Sequence, residues 1–249
     1  MDKQLEVGFD TVRLRLFQAR LRARYPQKAE AFLQLSEQDR KEAAEREWKA
    51  LFPIPKEKAL EHLTAQISGL VAKPGSQGHL ERMFPLVRAK SHNTMEFLAM
   101  IEELRPTLSP EQVSRLQLPL YLMVVEGVFT GQVNLLCVLA ADKGYRPSGS
   151  AADRGDLFDT VCSDALYNKL GFLDSIGLDR LTSACDRDLR NCIAHLDYVV
   201  FTNGSVGYQG RRATLIMTEK ELEERCEALR ATVDVVNEGI RAGLAHAKQ

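Results

Sequence analysis

The segment Arg190-Asn191-Cys192-Ile193-Ala194-His195 gathers side chains able to act on a charged substrate. Arginine is a permanent cation with a planar fork of donors, and histidine exchanges a proton near neutral pH. On a helical wheel Leu181, Cys185, Leu189, Cys192 and Leu196 form one apolar stripe, expected to face the core. Arg187, Arg190, Asn191 and His195 fall on the faces turned away from it, with small Ala194 among them. Asn191 and His195 are i, i+4 neighbours, close enough to interact. A polar face with a small residue at its centre suits close approach of a second helix, so the spacing predicts a homodimer contact there. The other histidines, His62, His79, His92 and His246, are dispersed, and none stands at metal-ligand spacing from another His or Cys. Glycine-rich phosphate loops, a nucleophile elbow and a paired-histidine zinc motif are absent. No metal or cofactor is implied.

The elements that must position this segment read as helix and turn. Leu118 to Ala141 carries one charge, Glu126, and is long enough to span a bilayer. Pro119, Gln132, Asn134 and the mid-span glutamate instead predict a buried central helix and no membrane contact. Glu126 is then expected as a buried partner of Arg190, because a carboxylate among valines needs one. Helices follow over about 153–170 and 178–196. Tyr198-Val-Val-Phe-Thr-Asn203-Gly204-Ser-Val-Gly-Tyr208 reads as strand, two-residue Asn-Gly turn, strand, and Ala213–Met217 can add a third. Thr218-Glu-Lys-Glu221 is a capping box opening the last helix.

Leu189-Arg-Asn-Cys-Ile-Ala-His195, with the polar residue after the arginine, the hairpin and the following helix, resembles the Arg-x4-His motif region of HEPN domains. These are helical ribonuclease and nucleotide-binding modules common in prokaryotic toxins and antiviral defence. The resemblance covers roughly residues 110–245, and it implies a mainly α fold, a helical bundle with a small β-hairpin before the last helix. It further implies metal-independent endoribonuclease activity, in which the RNA 2′-hydroxyl attacks the adjacent phosphate and leaves a cyclic phosphate end. By the same resemblance His195 is the acid/base, Arg190 the phosphate stabiliser and Asn191 the residue that orients one of them, at a composite site between two chains. Glu126 would support Arg190. A toxin–antitoxin or abortive-infection role implies an antitoxin or other defence partner. Tyr198 stands three residues beyond His195, whereas the members modified by nucleotidyltransferase antitoxins have their tyrosine two residues on. The alternative is a catalytically silent HEPN module that dimerises and binds nucleotide, RNA or protein.

Residues 1–105 lie outside the resemblance and form an N-terminal helical region, with 106–249 as the HEPN-like domain. Its helices are expected to end before Pro26, Pro53 and Pro74, with a break at Pro85 and a linker over 105–110. Ser36 and Ser109 read as N-caps. Arg13, Arg15, Arg20, Arg22 and Arg24 belong to a run without acidic residues, and they are candidates, with Arg187, for gripping RNA phosphates. The same run also fits a solvated helix face. This region is a candidate for holding the nuclease inactive.

The 249 residues are 45% hydrophobic and 27% charged, the balance of a soluble globular chain. Glycine and proline together are too few for low-complexity classes, and a single tryptophan argues against a β-sandwich. Five scattered cysteines make no disulfide framework, and no apolar leader follows Met1. A reducing, cytoplasmic setting is expected.

Overall fold

In a computed structural model, which describes residues 3–54, 57–148, 156–211 and 213–246 (side chains of 3–10 and of Phe84 aside), the apolar stretch becomes the spine. It consists of α6 (Pro110–Met123), a π-helical segment (Val124–Phe129) and, further on, Thr130–Leu139. Ser109 caps α6 in a reciprocal box with Gln112, and Pro110 takes the first helical position. The spine is long and apolar enough to cross a membrane, but its most apolar window is mostly buried inside the protein. Val125, Phe129, Val133 and Leu136 are fully enclosed.

Before the spine come α1 (Lys3–Arg24), α2 (Pro26–Leu33), α3 (Glu37–Leu51), α4 (Lys58–Val71) and α5 (Ser76–Leu104). Ser36 caps α3 as expected, accepting from the Asp39 N–H at 3.2 Å. The break expected at Pro85 does not occur: α5 is continuous. Pro85 is exposed, and Leu80, Met83 and Val87 on its inner face are buried, so core packing outweighs one missing hydrogen bond. After the spine helix α7 (Thr130–Leu139) come α8 (Leu157–Ser163), α9 (Leu166–Ser175), α10 (Asp179–Ala184), α11 (Arg187–His195), strands β1 (Tyr198–Val200), β2 (Val206–Gln209) and β3 (Thr214–Met217), and α12 (Glu219–His246).

Two of the expected single helices are divided. The break between α8 and α9 falls at Asp164, whose carboxylate accepts from the Ala165 N–H, the Tyr145 hydroxyl, Ser148 and Asn168. The break between α10 and α11 falls at Cys185-Asp186. In both places an aspartate binds backbone locally and ends the helical run. The start expected near Asp153 and part of the loop over 146–151 lie outside the described residues.

The β element is a three-stranded antiparallel sheet in the order β1-β2-β3, not a hairpin alone. Val200 faces Val206 in the register, so the connection is the five residues 201–205 rather than a two-residue turn. The Asn203 side chain accepts from the Ser205 N–H at 3.1 Å, and Gly204 takes φ +79. Asn-Gly therefore supplies a side-chain cap and a left-handed residue inside a wider loop.

The buried residues form two clusters. The larger joins α4 and the first half of α5 to the spine, the sheet and α12. The smaller gathers Leu16, Phe17, Phe32, Leu51 and Phe52 against Ala99 of α5. The layers thus part near residue 52 and along α5, and the core runs across the division expected at residue 105. The cause is the crossing of α12 over α4. A Cβ on Gly239 would lie 2.8 Å from Ile67, and one on Gly243 2.5 Å from Val71, so only glycine permits this approach.

Candidate active site

Helix α11 is built from its ends inward. Asp186 caps it, accepting from the Leu189 N–H at 3.0 Å. Its own N–H donates to the Tyr121 hydroxyl of α6 at 2.8 Å, and its carboxylate pairs with Arg225 of α12. Along the inner face Leu189, Cys192 and Ile193 are buried, and the Cys192 thiol donates to the Gln209 carbonyl of β2.

The far end reverses sharply. The Asp197 N–H donates to the Cys192 carbonyl at 2.8 Å and the Leu196 N–H to the Ile193 carbonyl at 3.2 Å, a Schellman ending. Leu196 itself has φ +60, the one positive value on a non-glycine residue among the described residues. This corrects the expected stripe: Leu196 leaves the helix axis and is 76% exposed instead of core.

The structure brings Arg190, Asn191 and Glu126 together. The Arg190 guanidinium donates through Nε to Glu126 and pairs through Nη2 with the same carboxylate, while Nη1 donates to the Asn191 side-chain oxygen at 2.9 Å. The partnership with Glu126 is the one expected, but the burial is not. The two side chains are 42% (Glu126) and 32% (Arg190) exposed. The π segment explains this, because its wider turn carries Glu126 off the stripe that keeps Val125, Val128 and Phe129 inside. The sequence carries no clear signal for it.

His195 occupies the last turn of α11 and is exposed, its imidazole making no hydrogen bond among the described residues. Asn191, expected to orient either the histidine or the phosphate, is engaged by Arg190. Arg187 is exposed with its guanidinium 4.2 Å over the Tyr167 ring. Beside them, burial pushes the Cys185 thiol up to about 11 against the opposing field of Arg190.

The α1 arginines lie elsewhere, on a helix packed against α5, α2 and α3. Arg20 is 2% exposed, paired with Glu102 at 3.5 Å and with Glu227, and stacked over Phe52. Arg15 holds Glu103 at 2.7 Å and Glu96 at 2.9 Å. Arg13 lies over Trp48, whereas Arg22 and Arg24 are exposed at the end of the helix. The run therefore divides between structure and surface, and Arg20 cannot reach an RNA strand. Among the described residues no group of three His, Cys, Asp or Glu is arranged to hold a metal ion.

No family model, curated protein or solved structure matches this chain. What the site can do is argued from its own residues: a half-exposed guanidinium oriented by two partners, an exposed imidazole one turn on, and an apolar border. That border is formed by Leu196, Val199 and Ile216, of which Val199 and Ile216 share one row across the sheet through Gly207.

Proposed function

We propose that the protein is a metal-independent endoribonuclease of HEPN type, a toxin or antiviral-defence effector that cleaves RNA at a site shared by two copies of the chain. The observation that carries this reading is the placement of Arg190 and His195 on adjacent turns of one short helix, both open to solvent, with the guanidinium fixed by Glu126 and Asn191. In this reading an imidazole takes the proton of the RNA 2′-hydroxyl as its oxygen attacks phosphorus. The departing 5′-oxygen is protonated, leaving a 2′,3′-cyclic phosphate, and Arg190 balances the charge of the phosphorane. A second His195 across a two-fold contact supplies the second proton-transfer group. The exposed apolar border of Leu196, Val199 and Ile216 beside the helix supports such a contact. With all five thiols free, a reducing cytoplasm suits this role.

The decisive experiment incubates purified protein with total RNA in EDTA, beside His195→Ala and Arg190→Ala. Cleavage by the parent chain, lost in both variants at unchanged circular dichroism, is the expected result. Cleavage retained in His195→Ala overturns the assignment. The second reading, a silent RNA- or nucleotide-binding module, draws on the Glu126 carboxylate that already matches the Arg190 charge. RNA binding without cleavage, weakened in Arg190→Ala, would select it.

A further inference from the structure

Helix α9 brings an aromatic ring to the start of α11. Tyr167, in the first turn of α9, is 58% exposed, and the Arg187 guanidinium lies 4.2 Å over its ring. Among the described residues no other ring or cation stacks on Tyr167, and its hydroxyl makes no hydrogen bond. The side chain therefore offers a ring face rather than a polar anchor.

The cation beside it is not matched by an acid. Among the described residues Arg187 pairs with no carboxylate, and its N–H donors meet no acceptor. The two acids flanking it in sequence are engaged elsewhere: Asp186 caps α11 and pairs with Arg225, and Asp188 pairs with Arg211 at 3.3 Å. Asp164, three residues before Tyr167, is buried and held by Tyr145, Ser148 and Asn168, its charge felt by the buried Lys169. Asp197 lies past the reversal at the other end of α11. Arg190, one turn on from Arg187, takes Glu126. Residues three apart on a helix have Cβ atoms about 5–6 Å from each other, and like charges so placed repel. Two guanidinium groups thus share one carboxylate on this face.

An aromatic face next to an open fork of donors matches a nucleotide. Bases of any identity stack on such rings, and arginine grips phosphate oxygens in pairs. A base within a duplex has both faces covered, so the ring can take only an unpaired one. Along α11 the order is Arg187, Arg190, His195, with Arg187 about 4.5 Å before Arg190 on the axis. The apolar border of Leu196, Val199 and Ile216 stands at the opposite end, so a two-fold contact made through it is not centred on Tyr167.

We infer that Tyr167 and Arg187 form a nucleotide subsite next to the cleaved phosphate, the ring stacking on an unpaired base and the guanidinium taking that nucleotide's phosphate. The inference rests on RNA binding at Arg190 and His195 and adds a demand on the substrate, a base splayed out of any helix.

The test measures binding apart from cleavage. The full chain is titrated, by fluorescence anisotropy, with a short labelled RNA free of secondary structure and carrying 2′-O-methyl groups throughout, so that no 2′-hydroxyl can attack. The same strand annealed to its complement is the second probe. The single strand should bind about tenfold tighter than the duplex. Tyr167→Ala should weaken the single strand by about tenfold and leave the duplex unchanged, and Tyr167→Phe should keep the parent affinity. Arg187→Gln should weaken the single strand and lower its salt slope by about 0.7, the loss of one phosphate contact. If Tyr167→Ala loses helical circular dichroism, Arg187→Gln decides alone. Absence of single-strand binding, a duplex bound equally well, parent affinity in Tyr167→Ala, or an unchanged salt slope in Arg187→Gln would overturn the inference. Total RNA cut equally by the parent chain and Tyr167→Ala would also overturn it while the nuclease reading stands. Tyr167-dependent binding by a chain that cuts no RNA would uphold the subsite and overturn the nuclease.

Discussion

Arg20 on α1 and Arg190 on α11 both face carboxylates, yet one pairing is sealed and the other stays wet. Arg20 sits between α5 and α12 with Glu102 only 5% exposed, holding the smaller layer to the larger. Arg190 meets Glu126 at the surface, where water screens the attraction and competes for both partners. A buried charge network is costly to break because each survivor is left without solvent or partner. A surface pair costs little to break and can exchange its partner for a phosphate. The same residue type is thus committed to the fold in one helix and available for chemistry in the other.

Substitutions can break this contrast in order of size. Arg20→Ala should cost about 3 kcal/mol in denaturant unfolding, since it leaves the buried Glu102 only Arg105 at 3.8 Å and Glu227 only Arg230. A loss under 1 kcal/mol would show that the two layers do not depend on this network. Gly243→Ala should cost roughly 2 kcal/mol on the same assay, as its methyl meets Val71 and the Ser68 carbonyl. Asp186→Ala removes the cap of α11 and should lower stability by about 1 kcal/mol; amide exchange at Leu189 and Arg190 should rise first. Arg190→Ala should change unfolding by less than about 1 kcal/mol while removing RNA cleavage, so a large stability loss would place it with Arg20. Leu196→Gly should leave the chain's unfolding within about 0.5 kcal/mol, because relief of the positive φ and the added freedom of glycine offset each other. Sedimentation of that variant sharpens the picture: if the apolar border joins two copies, dissociation should occur at lower dilution than in the parent chain.

Much of the helical order was readable because it is local. Ser36, Ser109 and Thr218 announce helix starts through side chain to backbone bonds that span three residues. The Arg190–Glu126 contact was also legible, since an acid amid valines demands a cation. Its exposure was not, because a π turn arises from the fit of the spine against its neighbours rather than from any residue pattern. The sequence reading missed the break before Asp186 for a different reason. Aspartate there is a cap only once Tyr121 and Arg225 hold it in place. For the α1 run, periodicity shows that Arg20 shares a face with Leu16 and Phe17, but only the tertiary fold supplies Glu102 and Glu227.

The π segment also sets a phase. Its extra residue acts as a spacer that lets Tyr121 upstream and Val133 downstream both point inward, although a regular helix would misalign one of them. Deleting a single residue within 124–129 would rotate the two halves against each other by about 100°. Either the Tyr121 hydroxyl would lose Asp186, or the buried run from Val133 to Leu136 would turn toward water. The chain therefore tolerates a change of side chain at Gly127, where an added methyl would find only ordinary contacts at 3.8 Å, far better than a change of length. At Gly127 it is a change of length, not of side chain, that this stretch of the spine must exclude.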